Sequence, residues 1–163
     1  MRFFTSEWWA GKGGPGTADA YRQHFEAIRH QLPADLVHLH EGYSLHDGHV
    51  RLVAASAGTP TLRIVVDTWD DDNCYRRLAL EYGGVTGWRA ESTGQADLAD
   101  PGTWRDLGYH EVDVAGEAFE HRMIFDMDVE LAVRFEKFRL VIEEGPPNPP
   151  TQRAGGKGKR GNH

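Results

Sequence analysis

The period of the hydrophobic pattern changes once along this chain, and that change constrains the fold more than any other feature. From Thr17 to Leu32, TADAYRQHFEAIRHQL places Tyr21, Phe25, Ile28 and Leu32 on one stripe at helical spacing. Thr17 is the expected N-cap, Asp19 suits the first turn, and Pro33 stops the run. A second short helical turn is expected from Pro33, with Leu36 and Leu39 facing the same core. Beyond Gly48 the period is two. Leu62, Ile64 and Val66 alternate with Arg63, Val65 and Asp67, and Leu78, Leu80 and Tyr82 share the next face. A weaker strand is expected from Val85 to Glu91, and two more from Tyr109 to Val114 and from Phe119 to Met127. Between Val129 and Ile142 the apolar set moves from odd to even positions, which predicts a bulge or bend near Glu136 and Lys137.

Turn-rich segments separate these strands, and no helix intervenes. That pattern predicts an α+β fold, mainly an antiparallel β-meander of about six or seven strands with an N-terminal amphipathic helix packed on one face. The stretch from Ser92 to Gly108 reads as a long connection pinned by Trp104 and Leu107. Residues 1–144 read as a single domain, large enough to bury a core without staples. The tail GPPNPPTQRAGGKGKRGNH, residues 145–163, has nothing apolar larger than Ala154 and reads as a disordered basic Pro/Gly-rich extension.

Charge separates body from tail. Of the 18 Lys and Arg residues, four (Arg153, Lys157, Lys159 and Arg160) lie in the acid-free tail, so residues 1–144 carry 14 bases against 25 acids, a net of −11. An acidic body repels phosphates and argues against nucleic acid as its partner; it favours another protein with a basic surface. No apolar run approaches the roughly 20 residues of a membrane span, MRFFTSEWWAGK lacks a signal-peptide core, and Cys74 is the lone cysteine. A soluble cytoplasmic protein is expected.

Several motifs bear on chemistry. Gly11 to Gly16, GKGGPG, matches G-x-G-x-x-G before a helix, but a dinucleotide site needs a preceding strand and a parallel crossover, so a link is the better reading. WDDDN, Trp69 to Asn73, lacks the spacing of a calcium loop and reads as a hairpin tip; the same acids disfavour a reactive thiolate at Cys74. Glu111 and Asp113 share a strand face with Tyr109 while His110 points the other way, and His121 falls on the apolar face of Phe119, Met123 and Phe125. These assign no catalytic residue and no cofactor-binding residue.

GYSLHDGHVR, Gly42 to Arg51, holds the candidate metal ligands His46, Asp47 and His49. If Asp47 and Gly48 form a two-residue hairpin turn, the two imidazoles lie side by side at a separation a divalent metal can bridge, with Asp47, His38 or His40 as a third ligand. If the strand starts at His49, His46 and Asp47 are structural. The metal reading would make the chain a hydrolase using His46 and His49, with Glu111 as a more distant acid. The leading expectation is instead a non-enzymatic protein-interaction domain with an acidic surface, to which the hydrolase is the alternative.

MRFFTSEWW, YRQHFEAIRHQLPADLVHL, SLHDGHV and YHEVDVAGEAFEHRMIFDMDVELAVRFEKFRL together resemble an uncharacterised bacterial family. Its members begin Met-Arg-Tyr-Phe-Thr and carry Leu-His-Asp before a β-meander; here Phe3 stands at the tyrosine position. The resemblance covers most of residues 1–143 and implies a small α+β fold of unknown function. Related meanders among toxin-immunity proteins add the expectation of an immunity or adaptor role, in which an acidic surface blocks a basic partner.

Overall fold

The computed structural model describes residues 1–143 apart from Ala57, Asn73 and Met127. The predicted disordered tail, residues 145–163, lies outside the described residues. Two helices, α1 (Thr17–Ile28) and α2 (Ala34–Gly42), precede β1 (Tyr43–Ala55), β2 (Thr61–Asp70), β3 (Tyr75–Gly83) and β4 (Gly87–Ser92). A short 3-10 turn, Pro101–Thr103, then leads to β5 (Asp106–Ala115), β6 (Ala118–Phe125), β7 (Val129–Phe135) and β8 (Lys137–Glu143). The period-two segments form strands as expected, but the described residues hold eight strands rather than six or seven. The extra count comes from the long β1 and from the split at Glu136, which turns one apolar run into β7 and β8. The N-cap of α1 is Gly16, in the left-handed region at φ 94°, while the Thr17 hydroxyl donates to the Gly14 carbonyl at 3.2 Å.

All pairings are antiparallel, in the order β4-β7-β6-β5-β1-β2-β3-β8. The order carries a geometric demand. β7 lies near one edge and β8 forms the other, yet only Glu136 separates them; β3 and β4 are joined by residues 84–86. One residue spans at most about 3.6 Å, so the sheet must curl until its two ends meet. The corner is held by the Glu136 N–H donating to Gly83 O and the Thr86 N–H donating to Arg134 O, both at 3.0 Å. Gly84, at φ 62°, supplies the turn; a Cβ there would meet the Glu136 side chain.

The curled sheet encloses the core. Leu62, Ile64 and Val66 meet Leu78, Leu80 and Tyr82 on one side and Met123, Phe125, Leu131, Val133 and Phe135 on the other, with Phe25, Leu36 and Leu39 added by the helices. Trp104 and Leu107 are buried and pin the long connection, as their positions predict. The helices also satisfy backbone groups on open strand edges. Asp35 accepts from the Leu140 N–H of edge strand β8 at 3.0 Å, and the Tyr21 hydroxyl accepts from the Val112 N–H of β5 at 3.0 Å. Among the described residues no helix is long and apolar enough to cross a membrane.

Candidate functional site

Asp47 and Gly48 do not turn the chain. They sit inside β1, with Asp47 at φ 61°, where the pairing to β2 shifts register between Ser44 and His49. A Cβ on Gly48 would lie 2.8 Å from the Leu45 carbonyl oxygen and 3.1 Å from Val66 Cγ1, so glycine is required. Both sequence-based geometries are corrected here: no Asp-Gly hairpin forms, and the strand starts at Tyr43 rather than His49. An Asp-Gly pair supplies positive φ equally to a turn and to a bulge, and the partner strands β2 and β5 select the bulge.

The bulge opens the sheet. β1 pairs with β5 only at Gly48↔Leu107 and His49↔Asp106; beyond that point residues 43–46 swing away from 108–110. The gap is a cleft of about 220 Å³ between Tyr43, Leu45 and His46 on one wall and Tyr109 and His110 on the other, with Tyr21 and His40 supplied by the helices. Phe4 stacks on Tyr109 at 5.0 Å between centroids and closes the outer side. Trp9 lies over Gly108, where any Cβ would overlap its ring.

A hydrogen-bonded chain runs from this cleft into the core. The Tyr82 hydroxyl is 2.8 Å from His121 Nδ1, and His121 Nε2 is 3.0 Å from His110 Nδ1. Burial raises the Tyr82 phenol well above its usual range, so it stays protonated and donates. His121 Nε2–H then donates to His110 Nδ1, leaving the other His110 nitrogen protonated; this tautomer set satisfies both hydrogen bonds. The His110 ring meets His40 edge to face at 5.3 Å, and His40 lies 3.8 Å from the Phe25 ring. The Nδ1 of His40 is buried with no hydrogen-bonding partner among the described residues.

Burial sets the charge of these groups. It pushes the His121 pKa down to about 3, with His40 adding to the shift. It holds His110 well below the ordinary imidazole range, with His121 and His40 adding to the effect, and it also lowers His40. Tyr21 is raised, chiefly by burial. At neutral pH His40 and His110 therefore present uncharged imidazoles to the cleft, whose lining contains no carboxylate and no Lys or Arg.

The sequence candidates are distributed differently. His46 lines the cleft, with its ring 5.1 Å from Tyr109 and its Nδ1 3.1 Å from Asp47 Oδ1. His49 instead pairs with Asp106 at 2.7 Å, at the join of the two sheet halves. Among the described residues no three His, Cys, Asp or Glu side chains are grouped so as to hold a metal ion. Glu111 is 2% exposed and accepts from the backbone amides of Arg2, Phe3 and Phe4 and from Arg122, so it anchors the N-terminal segment. Asp70, at the end of β2, accepts from the Asp72 and Cys74 amides at 3.1 and 2.7 Å, so the described acids of WDDDN lie where β2 passes to β3.

Sequence reasoning put Tyr82 and His121 on apolar strand faces and His110 opposite the face of Glu111 and Asp113, but did not bring the three together. No match to this chain is found among curated proteins or solved structures. A family model for proteins of unknown function, DUF4085, matches residues 14–133, a range that includes the cleft walls, α1, α2 and all three members of the Tyr82–His121–His110 chain. The chain belongs to the DUF4085 family.

Proposed function

We propose that the cleft binds a small, uncharged, single-ring molecule and holds it by hydrogen bonds to His110 and His40. The observation that carries this reading is the Tyr82–His121–His110 chain, which ends on the cleft wall beside the partnerless Nδ1 of His40. Perturbed titratable groups gathered in a concave site are the usual mark of a functional centre. The lining is aromatic and holds no carboxylate, Lys or Arg, and a cavity of about 150 Å³ holds benzene, so one ring with a hydroxyl or amide fits the available space. In this tautomer set His110 presents an N–H to an acceptor oxygen of the ligand, and the partnerless His40 Nδ1 offers a second hydrogen-bonding group.

The test is a titration with one-ring phenols and amides, followed through the imidazole resonances of His40 and His110. Saturable shifts at both rings are expected. His110→Phe should weaken binding about tenfold, the equivalent of one hydrogen bond. Shifts confined to residues outside the cleft, or affinities unchanged in His110→Phe, would remove the reading.

A second reading, an immunity or adaptor role towards a basic protein, is supported by crowding of acids at one end of the sheet. The Asp126 carboxyl is raised by burial and then by Asp106 and Asp47, a concentration of negative charge. Capture from native lysate should recover a stoichiometric partner at low salt and lose it at high salt. A partner indifferent to salt, or none, counts against it.

A further inference from the structure

The sheet ends at β4 and β8, and the fold treats the two ends differently. The backbone edge of β8 is met by α2, whose Asp35 accepts from the Leu140 N–H. β4 pairs with β7 alone, and no strand among the described residues pairs with its second edge. That edge therefore presents backbone donors and acceptors that a further strand can take up. Beside it Trp88 is 46% exposed, although Val133, its cross-strand partner, is fully buried.

Side-chain charge selects the occupant. Pairing to β7 puts Trp88 and Ala90 on the inward face, opposite Val133 and Leu131, and Arg89 and Glu91 on the outward face, opposite Ala132 and Glu130. Within one chain this outward row is poorly matched. Arg89 faces an alanine, and Glu91 faces a second carboxylate, an unfavourable cross-strand pair. Glu130 has the Met1 ammonium at 3.0 Å, whereas the ion-pair partner of Glu91 among the described residues is Arg89 of its own strand, at 3.5 Å and well exposed to solvent.

We infer that β4 pairs antiparallel with β4 of a second copy of this chain, about a twofold axis through Ala90. In that register Arg89 of each copy lies opposite Glu91 of the other, so one strand sequence supplies both ion pairs, and Trp88 lies opposite Ser92. Charge also fixes the register. A twofold axis normal to the sheet keeps each residue opposite one of its own face, so the nearest alternatives are slips centred on Arg89 or on Glu91. The first sets Arg89 against Arg89 and the second sets Glu91 against Glu91, and like charges directly opposite are destabilising. A uniformly basic or acidic strand from another protein would satisfy one of the two residues and repel the other; a second copy satisfies both.

Sedimentation of the full chain between about 10 µM and 1 mM should follow a monomer–dimer equilibrium, the weak association expected of a contact confined to one strand. Glu91→Arg and Arg89→Glu each place like charges opposite one another and should weaken dimerisation about tenfold. Mixed one to one, the two variants should recover it as a heterodimer, because one strand then carries two positive charges and the other two negative. Both positions are exposed, and circular dichroism checks that each variant is folded. In the unaltered chain, hydrogen exchange at the β4 amides should slow as concentration rises. A chain that stays monomeric over this range, dimerisation unchanged in either variant, a mixture that associates no better than its components, or exchange protection absent from β4 would overturn the proposal.

Discussion

Glu111→Ala is expected to lower the free energy of unfolding by about 3–5 kcal/mol, the range for removing one partner of a buried ion pair. The carboxylate is 2% exposed and gathers four donors: the backbone amides of Arg2, Phe3 and Phe4 and the Arg122 guanidinium at 3.2 Å. Alanine would leave those amides unpaired and Arg122 with Glu120 as its remaining carboxylate. The aromatic cluster that depends on the segment would loosen with it, because Phe4 packs on Tyr21 and Tyr109 at 5.1 and 5.0 Å. Glu111→Gln keeps one accepting oxygen and should cost less, about half as much, because its amide N–H₂ opposes Arg122. Urea unfolding of the three proteins measures the differences; a loss below about 1 kcal/mol for the alanine variant would show that the segment is not anchored there. The same variant should weaken ligand binding in the cleft, since Phe4 closes its outer side, so Glu111 acts as a positioning residue.

Much of the sheet was legible because its information is local. Alternation located β2, β3, β5 and β6 to within a few residues, and the phase change near Glu136 marked the corner at which β7 becomes β8. The Asp47-Gly48 pair shows where local information stops. Its letters call for positive φ, which the structure has at Asp47 and not at Gly48, but a turn and a bulge both use it, and only β5 arriving on one side and β2 on the other make it a bulge. The histidine chain was less legible for the same reason. Tyr82, His110 and His121 each occupy the inward face of a strand, so three polar groups on apolar faces were an available signal. His110 and His121 meet because β5 and β6 are neighbours, whereas Tyr82 reaches His121 only because the curled sheet brings β3 across the interior to β6. Curling depends on contacts between residues far apart in sequence, which periodicity does not encode.

Acidification should destabilise the fold well before its carboxylates titrate. His40, His110 and His121 are all held below the ordinary imidazole range in the folded state, His121 at about 3, while in the unfolded chain each titrates near 6.5. Between those limits the unfolded chain binds more protons, so the stability contributed by the neutral imidazoles is complete above about pH 6.5 and is lost as pH falls towards the folded values. Each histidine that remains neutral in the fold contributes a slope of about 1.4 kcal/mol per pH unit below 6.5, so His121 alone is worth about 2 kcal/mol between pH 7 and 5, and His110 and His40 act in the same direction. Asp67, buried between Arg51 and Arg77, is also held below its usual range. Its contribution disappears only below about pH 4, so the two effects occupy separate windows. Urea unfolding at pH 7, 6 and 5 should show the decline, and His121→Gln should reduce the slope by about one proton. A flat profile over that range, or a His121 ring titrating near 6.5, would mean that these imidazoles charge freely in the fold. The cleft would then present a cation at mildly acidic pH rather than the neutral hydrogen-bonding groups that His110 and His40 supply to the proposed ligand.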